Sequence, residues 1–190
     1  MFSSADSLCD VTINLLASAR GKKFGTILAD PPWQFQNRTG KVAPEHRRLS
    51  RYGTMALDEI CALPVGDMTT DDAVLFLWAT NPKLAESMRV VESWGFTYRT
   101  CAVWTKDQIG MGYYFRQRHE LLLVAVKGSP PMPAPADRPD SVIVAPRQEH
   151  SAKPVIVYGL IERMYPSLPK IELFARLPRE GWARWGNQAA

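Results

Sequence analysis

The stretch Phe24-Gly25-Thr26-Ile27-Leu28-Ala29-Asp30-Pro31-Pro32-Trp33 decides the fold. Its apolar half, residues 24–29, is typical of a buried β-strand. A proline fixes its own φ and holds the preceding residue in extended geometry, so the strand is expected to end at a stiff turn. The Asp30 carboxylate and the Trp33 indole are therefore predicted at the carboxyl end of a strand. In open α/β sheets, ligands bind at that edge.

The tetrad Asp30, Pro31, Pro32 and Trp33 suits the recognition of an exocyclic amino group on a planar base. Asp30 and a carbonyl of the Pro-Pro turn can accept both amino protons while Trp33 stacks on the ring. Such an amine is a poor nucleophile because its lone pair is conjugated into the ring. Two fixed acceptors would stabilise the positive charge that develops when it attacks an electrophile. A surface turn with an incidental Trp is the alternative interpretation.

Composition indicates one globular domain of ordinary size. The chain has 190 residues, 46% of them hydrophobic and 22% charged, with a net charge of +4 that suits a polyanionic partner. No apolar run approaches the roughly 20 residues of a membrane helix, and no signal pattern opens the chain, so a cytoplasmic location is expected. Cys9, Cys61 and Cys101 are scattered, so neither a zinc site nor a disulfide framework is indicated, and no metal is predicted.

Strands and helices are predicted to alternate along the chain. Asn81-Pro82 is typical of a helix start, and Leu84, Met88 and Val91 recur at helical spacing, so a helix is expected there, ending before Gly95. Trp78 and Trp104 are expected in the core or in a pocket wall. The alternation favours a doubly wound sheet. The remaining predicted elements are strands at 73–79, 98–105, 121–126, 141–145 and 170–175, a short helix capped by Thr54 and running towards Ala62, and a helix that starts at Pro154.

The chain resembles the MT-A type of adenine-N6 methyltransferase, whose catalytic motif is Asp-Pro-Pro-Trp. The similarity extends in family order over nearly the whole chain, which makes it far more specific than the tetrad alone. The matching segments are Cys9-Asp10-Val11, Tyr52-Gly53-Thr54-Met55, Leu75-Phe76-Leu77-Trp78, Val126-Lys127-Gly128, Lys153-Pro154, Lys170-Ile171-Glu172-Leu173-Phe174-Ala175-Arg176 and Trp185-Gly186-Asn187-Gln188.

The resemblance implies a Rossmann-like α/β fold in which the catalytic motif precedes the cofactor motif, and it implies S-adenosyl-L-methionine as cofactor. The glycine-rich turn of many methyltransferases is absent here, as it is in the family. Pro178 and Arg179 stand about where the eukaryotic enzyme has a His-Asn pair, which leaves the ribose contacts open. The cofactor-binding residues implied by the resemblance are Asp10, Val11, Asp30, Lys153, Glu172, Arg176, Asn187 and Gln188.

Several loops are predicted to meet the nucleic acid. Residues 34–51 carry five basic side chains against the single acid Glu45, which suits a lid that contacts phosphates, although a solvated charge run is the alternative. Residues 106–118 interleave aromatics with arginines and can form a stacking surface for unpaired bases, or else pack internally. Segment 146–154 is a third such loop, whereas the proline-rich loop 128–140 is given no role. The predicted substrate-binding residues are Trp33, Arg47, Arg48, Tyr52, Tyr113, Arg116 and Glu120.

These features predict one methyltransferase domain over residues 1–190, with a lead segment at 1–23, that forms N6-methyladenine in nucleic acid. The target adenine is expected to be flipped out or unpaired. DNA is favoured over RNA because a minimal domain looks more like the stand-alone prokaryotic and phage members. The alternatives are a catalytically silent nucleic-acid-binding subunit, an RNA adenine-N6 methyltransferase, and methylation of cytosine N4 or a protein amide. A homodimer whose second copy supplies the groove is also left open.

Overall fold

A seven-stranded sheet forms the centre of the computed structural model, which describes residues 8–34, 54–148 and 152–186, with only the backbone of Leu8 and Cys9. The strands are β1 (Phe24–Ala29), β2 (Thr69–Ala79), β3 (Thr97–Thr105), β4 (His119–Lys127), β5 (Val142–Val144), β6 (Lys170–Leu173) and β7 (Trp182–Trp185). The helices are α1 (Leu8–Ala19), α2 (Leu57–Cys61), α3 (Leu84–Ser93) and α4 (Ile156–Met164), with 3-10 turns at Val65–Met68, Asn81–Lys83 and Pro135–Asp137.

The strand order is β5-β3-β4-β2-β1-β6-β7. Every pairing is parallel except those of β4, which runs antiparallel to both β2 and β3. The other six strands therefore direct their carboxyl ends to one edge of the sheet, and β4 begins at that same edge. This confirms the predicted Rossmann-like α/β fold.

Apolar clusters cover both faces of the sheet. Helices α1, α2 and α3 supply Leu15, Ile60 and Val90 to one cluster, whereas α4 supplies Val157 and Ile161 to the other. All six residues of β1 are buried, as expected for a strand with helices on both sides. Asp30 therefore leaves a fully buried central strand, whose neighbours β2 and β6 hold its position.

Two predicted helix details are wrong. Helix α2 begins at Leu57 rather than at a Thr54 cap, and the Ala56 N–H donates instead to Glu59 Oε2 at 2.7 Å. In α3 the buried face consists of Ser87, Val90 and Val91, whereas Leu84 is exposed. The first turn after Thr80 is a 3-10 helix, which rotates the apolar face relative to a helix counted from Asn81.

Several strand boundaries also differ from prediction. β2 starts at Thr69, four residues before the predicted strand, and β5 is limited to Val142–Val144. β6 stops at Leu173 because Phe174 has a φ of 63°, which no strand residue adopts. That left-handed residue turns the chain sharply and sets the direction in which Arg176 leaves the sheet.

Helix α1 and strand β7 were not predicted. They pack together at one end of the sheet, where Trp185 Nε1 donates to Asn14 Oδ1 at 2.9 Å. Gly186 lies so close to the chain after β6 that a Cβ there would come within 2.6 Å of the Ala175 backbone nitrogen. Within the described ranges, no helix is both long and apolar enough to cross a membrane.

Candidate active site at the sheet edge

Charged side chains from four places in the sequence meet where the parallel strands end. Asp30 directly follows β1, and Lys106 directly follows β3. Glu120 is the second residue of the antiparallel strand β4, which places it at the same edge. Lys153 lies in the short segment before α4. We call these four residues the Asp30 cluster.

The Asp30 cluster is a chain of ion pairs with Lys153 at its centre. Lys153 Nζ lies 2.8 Å from Asp30 Oδ2, to which it donates a hydrogen bond, and 2.8 Å from Asp30 Oδ1. The same ammonium group lies 3.4 Å from Glu120 Oε2, and Lys106 Nζ donates to Glu120 Oε1. Two carboxylates and two ammonium groups thus balance one another, which a largely buried site requires.

The charged groups of the Asp30 cluster are largely buried, so each needs a partner of opposite charge. The side chains of Lys153 and Asp30 are only 14% and 21% exposed. Burial would lower the pKa of Lys153, but the charges of Asp30 and Glu120 outweigh it and raise that pKa. Burial would likewise raise the pKa of Glu120, but Lys153 and Lys106 hold it below its ordinary value. Lys153 and Glu120 therefore both keep their charges at neutral pH.

Two indoles form the floor beneath the ammonium groups. Lys153 Nζ lies 5.6 Å from the ring centroid of Trp78, and Lys106 Nζ lies 4.6 Å from that of Trp104. The two rings contact edge to face, with centroids 5.9 Å apart, and both side chains are buried. This confirms the prediction that Trp78 and Trp104 belong to the core or a pocket wall. Their faces also attract the cations above them.

The Pro-Pro turn presents backbone carbonyls next to Asp30. The Pro31 carbonyl accepts a hydrogen bond from the Trp33 N–H at 2.9 Å, and the Pro32 carbonyl accepts one from the Met55 N–H at 3.0 Å. Each carbonyl oxygen has two lone pairs, so one acceptor position remains on each. The amides of Trp33 and Met55 therefore brace the turn, and each carbonyl retains acceptor capacity.

Trp33 is buried rather than open. Its side chain is 6% exposed and belongs to the same apolar cluster as Met55 and Leu63. A base could stack on this indole only if neighbouring side chains moved. Stacking on Trp33 therefore stays a prediction, and in this structure the indole anchors the turn that holds Asp30.

A second polar group lies beside the Asp30 cluster, at the end of β6. Tyr158 of α4 donates a hydrogen bond from its hydroxyl to Glu172 Oε1 at 2.8 Å. Burial raises the pKa of Glu172, and the nearby charge of Asp30 adds to the increase. Arg176 lies close enough for its charge to affect both Glu172 and Lys153. The predicted residues Asp30, Lys153, Glu172 and Arg176 are thus brought together.

Arg179 is engaged in a structural contact. Its guanidinium donates to both Glu162 oxygens, at 2.7 and 2.8 Å, and lies 4.8 Å from the Tyr158 ring centroid. Trp182 Nε1 donates to the same Glu162 carboxylate at 2.7 Å. Arg179 therefore ties α4 to β7, and in this arrangement it is not available to replace a ribose contact.

The remaining predicted site residues lie on helix α1, on loop 106–118 or outside the described residues. Asp10 lies on the exposed side of the first turn of α1, whereas Val11 is buried in the core, so contact of Val11 with a cofactor would need the helix to shift. Tyr113 and Arg116 lie on the exposed loop 106–118, away from the core. Five others lie outside the described residues, and their roles stay predictions: Arg47, Arg48, Tyr52, Asn187 and Gln188.

Three residues at this edge were not predicted from the sequence: Lys106, Tyr158 and Thr80. Lys106 had a usable signal, because it follows a predicted strand as Asp30 does. Tyr158 had none, since its role depends on the packing of α4 against β6. Thr80, which follows β2, has a buried hydroxyl without a hydrogen-bond partner among the described residues. Within the same part of the chain, no group of three or more His, Cys, Asp or Glu side chains could hold a metal ion.

Comparison with known proteins assigns the chain to a family. The model of the MT-A70 family matches residues 24–188. The type II methyltransferase M.MunI of a Mycoplasma species is 38% identical over 180 residues, which cover 87% of this chain and 77% of that protein. The human N(6)-adenosine-methyltransferase catalytic subunit METTL3 is 34% identical over 203 residues, which cover 98% of this chain but 32% of that protein.

A plant protein gives the same result. The N(6)-adenosine-methyltransferase MT-A70-like protein of Arabidopsis thaliana is 35% identical over 175 residues, covering 87% of this chain and 24% of its own length. The chain thus spans less than a third of these two eukaryotic relatives but most of the Mycoplasma protein. The chain belongs to the MT-A70 family of adenine-N6 methyltransferases, as the motifs in its sequence predict.

Proposed function

We propose that this chain transfers a methyl group from S-adenosyl-L-methionine to N6 of adenine in DNA. The observation that carries the proposal is the Asp30 carboxylate, which emerges from a buried central strand and is held by Lys153 beside the Pro31 carbonyl. An amino group bound there meets an anionic and a neutral acceptor. An intact acceptor pair of this kind argues against a catalytically silent subunit.

Asp30 and Pro31 would act by positioning and electrostatics. The N6 amine carries two protons, and one can be accepted by an Asp30 oxygen and the other by the free lone pair of the Pro31 carbonyl. Both acceptors become more favourable as positive charge develops on N6, so they stabilise the transition state more than the ground state. The N6 proton then leaves to Asp30 or to water.

For the adenine amine to bind, Lys153 must give up one of its contacts with the Asp30 carboxylate. The ammonium group contacts both oxygens of that carboxylate, and the Glu120 carboxylate at 3.4 Å offers it an alternative partner. Lys106 already neutralises Glu120, so the cluster remains balanced if Lys153 turns towards an incoming anion. Lys153 would thus be able to meet a cofactor carboxylate or a substrate phosphate without leaving Glu120 unpaired.

The donor set around Glu172 fits S-adenosyl-L-methionine, which supplies an electrophilic sulfonium methyl group when bound. Lys153 and Arg176 would hold the carboxylate of its amino-acid part. Glu172, whose carboxylate Tyr158 orients at 2.8 Å, would accept from ribose hydroxyls or from the ammonium group. Asp10, Asn187 and Gln188 complete the proposed set, and Val11 would pack behind it.

DNA is the preferred substrate in this proposal. The chain aligns with most of the length of a type II methyltransferase but with under a third of the N(6)-adenosine-methyltransferases. Arg47, Arg48 and Tyr52 would hold the strand that carries the target adenine, with Glu120, Tyr113 and Arg116 lining its path. Trp33 would join them only if the side chains that cover it move. A second copy of the chain is the proposed source of any groove that one domain lacks, and a cytoplasmic location stays a prediction.

The substrate is tested by nucleoside mass spectrometry. Purified chain is incubated with S-adenosyl-L-methionine and with matched single- and double-stranded DNA and RNA of mixed sequence. The proposal expects N6-methyldeoxyadenosine in DNA, above any N6-methyladenosine in RNA. Product confined to RNA would contradict the substrate, and a mark on cytosine N4 would contradict the reaction. Calorimetric titration of S-adenosyl-L-methionine into wild type and Arg176→Met tests the cofactor site, where the variant should bind at least tenfold more weakly.

A further inference from the structure

Three consecutive aromatic residues stand uncovered at the end of loop 106–118. Tyr113, Tyr114 and Phe115 are each at least 82% exposed, and Met111 beside them is 73% exposed. Scattered apolar side chains are normal on a surface, whereas an apolar group concentrated on one protrusion marks an interaction site. We call residues 113–115 the aromatic tip.

The loop that carries the tip is braced. Its backbone strands are linked by hydrogen bonds from Lys106 N to Arg118 O at 2.9 Å and from Gly110 N to Gln117 O at 2.7 Å. Arg116 Nε donates to Gly110 O, and the Gln117 side chain accepts from Asn81. The tip is therefore presented by a structured loop, anchored to the segment that follows β2.

Gly112 is required for the turn at the tip. A Cβ at this position would lie 1.9 Å from the Phe115 carbonyl oxygen, far inside contact distance. No residue other than glycine can therefore hold the turn in this form. Gly112 therefore allows a turn that exposes the three aromatic rings of the tip to water.

The surroundings of the tip are basic and close to the catalytic edge. Loop 106–118 contains Lys106, Arg116 and Arg118 against the single acid Asp107. A groove of about 600 Å³ opens at the base of the loop, and its polar lining consists mainly of Lys106, Asp107, Arg118 and His119. Lys106 is also part of the Asp30 cluster, so the loop begins at a residue of the candidate active site. Arg116 and Arg118 directly follow the tip in sequence, so a polyanion bound at the tip would meet both of them.

We propose that the aromatic tip is a wedge that enters the base stack of duplex DNA and fills the gap left by the flipped adenine. This inference rests on the proposed function, since an enzyme that modifies N6 must extract the base and bear the cost of unstacking. Proteins that open a stack insert apolar side chains between base steps. The tip has the apolar area, the projection and the basic flanks that such a wedge needs, with Arg116 and Arg118 placed to contact the adjoining phosphates.

The wedge is tested with the double variant Tyr114→Ser/Phe115→Ser. A matched control is Met132→Ser, which removes an equally exposed apolar side chain from the proline-rich loop. An aromatic-preserving variant, Tyr114→Phe/Phe115→Tyr, tests whether ring area is what matters. Each protein is given the same long mixed-sequence DNA, native or heat-denatured, and N6-methyldeoxyadenosine is counted. The methylation rate of the double variant should fall at least tenfold on native DNA and stay within about twofold of wild type on denatured DNA. The two control variants should methylate both forms of DNA at the wild-type rate.

A second measurement is independent of methyl transfer. A closed circular plasmid is relaxed by a topoisomerase in the presence of each protein, because insertion between base steps changes the number of helical turns that the plasmid retains. Wild type should shift the topoisomer distribution, and the double variant should not. If wild type methylates neither form of DNA, the proposed function fails, and this shift alone then supports or overturns the wedge.

Other outcomes overturn the inference. Equal activity of wild type and double variant on native DNA, or equal loss on both DNA forms, would mean that the tip does not open the duplex. Analytical sedimentation tests whether the aromatic tip instead contacts a second copy of the chain. If wild type is a dimer and the double variant a monomer, the tip is an interface between copies of the chain and not a wedge.

Discussion

Replacement of Asp30 separates its catalytic role from its structural role. Asp30→Ala removes both the negative charge and the acceptor atoms, whereas Asp30→Asn removes the charge but keeps an amide oxygen. Loss of one preorganised group at a developing charge typically lowers turnover 10²- to 10³-fold, about 3–4 kcal/mol. We expect a decrease of that size in both variants, because the anionic acceptor is lost in each.

The stability effects of the two variants should differ. Asp30→Ala deprives Lys153 of its two 2.8 Å contacts and leaves Glu120 at 3.4 Å as its remaining partner in the cluster. Breaking a fully buried pair costs about 3–5 kcal/mol, and the partial exposure and the second partner reduce this to about 1–3 kcal/mol. In Asp30→Asn the amide oxygen still accepts from Lys153, so the loss should be about 1 kcal/mol or less.

The assay combines urea unfolding, calorimetric binding of S-adenosyl-L-methionine and initial methyl-transfer rates on DNA, all at one pH and salt concentration. The expected pattern for Asp30→Asn is a large fall in turnover with unfolding free energy nearly unchanged and cofactor affinity within a few-fold of wild type. Turnover within about fivefold of wild type would refute the electrostatic argument. Parallel loss of turnover and cofactor affinity would instead make Asp30 a cofactor ligand.

Three further predictions concern other residues. Burial raises the pKa of Glu172 above its ordinary 4.5, so the folded chain binds the carboxyl proton more tightly than the unfolded chain does. The contribution of Glu172 to the free energy of unfolding should therefore increase as pH falls from neutral towards 4.5. Urea titrations of Glu172→Gln should show that this pH-dependent contribution is lost. Reversing Arg47 and Arg48 to Glu should weaken DNA binding and reduce the slope of log K against log salt by about 2. Gly186→Ala should cost about 1–3 kcal/mol in urea unfolding, because its Cβ would clash with the Ala175 backbone.

Each of these has a control and a contrary outcome. Glu162, whose pKa is lowered mainly by its hydrogen bond from Arg179, should contribute the opposite pH dependence in the wild type, with stability lost as pH falls below 4.5, and Glu162→Gln should remove that loss. An unchanged pH profile in Glu172→Gln would mean that its carboxylate is not desolvated. Arg163→Glu, on the exposed side of α4, should leave the salt slope of DNA binding nearly intact. If Gly186→Ala were as stable as wild type, the chain after β7 would have to lie farther from Ala175 than the 2.6 Å contact implies.

The position of Asp30 could be predicted from the sequence because it depends on where a strand ends. An apolar run followed by Asp-Pro-Pro locates Asp30 at the edge of the sheet, and the resemblance supplied Lys153, Glu172 and Arg176 around it. The pairing of Lys106 with Glu120 could not be read from the chain, because it depends on β4 running antiparallel to β3. That reversal brings two residues fourteen positions apart into one ion pair.

Other features depended on packing that sequence patterns do not encode. The burial of Trp33 follows from the path of the chain near Met55, and an aromatic residue after a turn could equally face solvent. The end of β6 is set by a left-handed Phe174, a conformation that is rare outside glycine and has no sequence signature. Helix α1 had a detectable signal, since Val11, Leu15 and Ala19 recur every four residues and are all buried.

The role of Asp30 in adenine methylation is tested by comparing wild type with the charge-neutral variant. Wild type and Asp30→Asn are incubated with S-adenosyl-L-methionine and native mixed-sequence DNA, and every methylated nucleoside is quantified by mass spectrometry. We expect N6-methyldeoxyadenosine from wild type and at least about 100-fold less from the folded variant. Equal amounts from both proteins, or methyl groups found on a base other than adenine, would contradict this expectation.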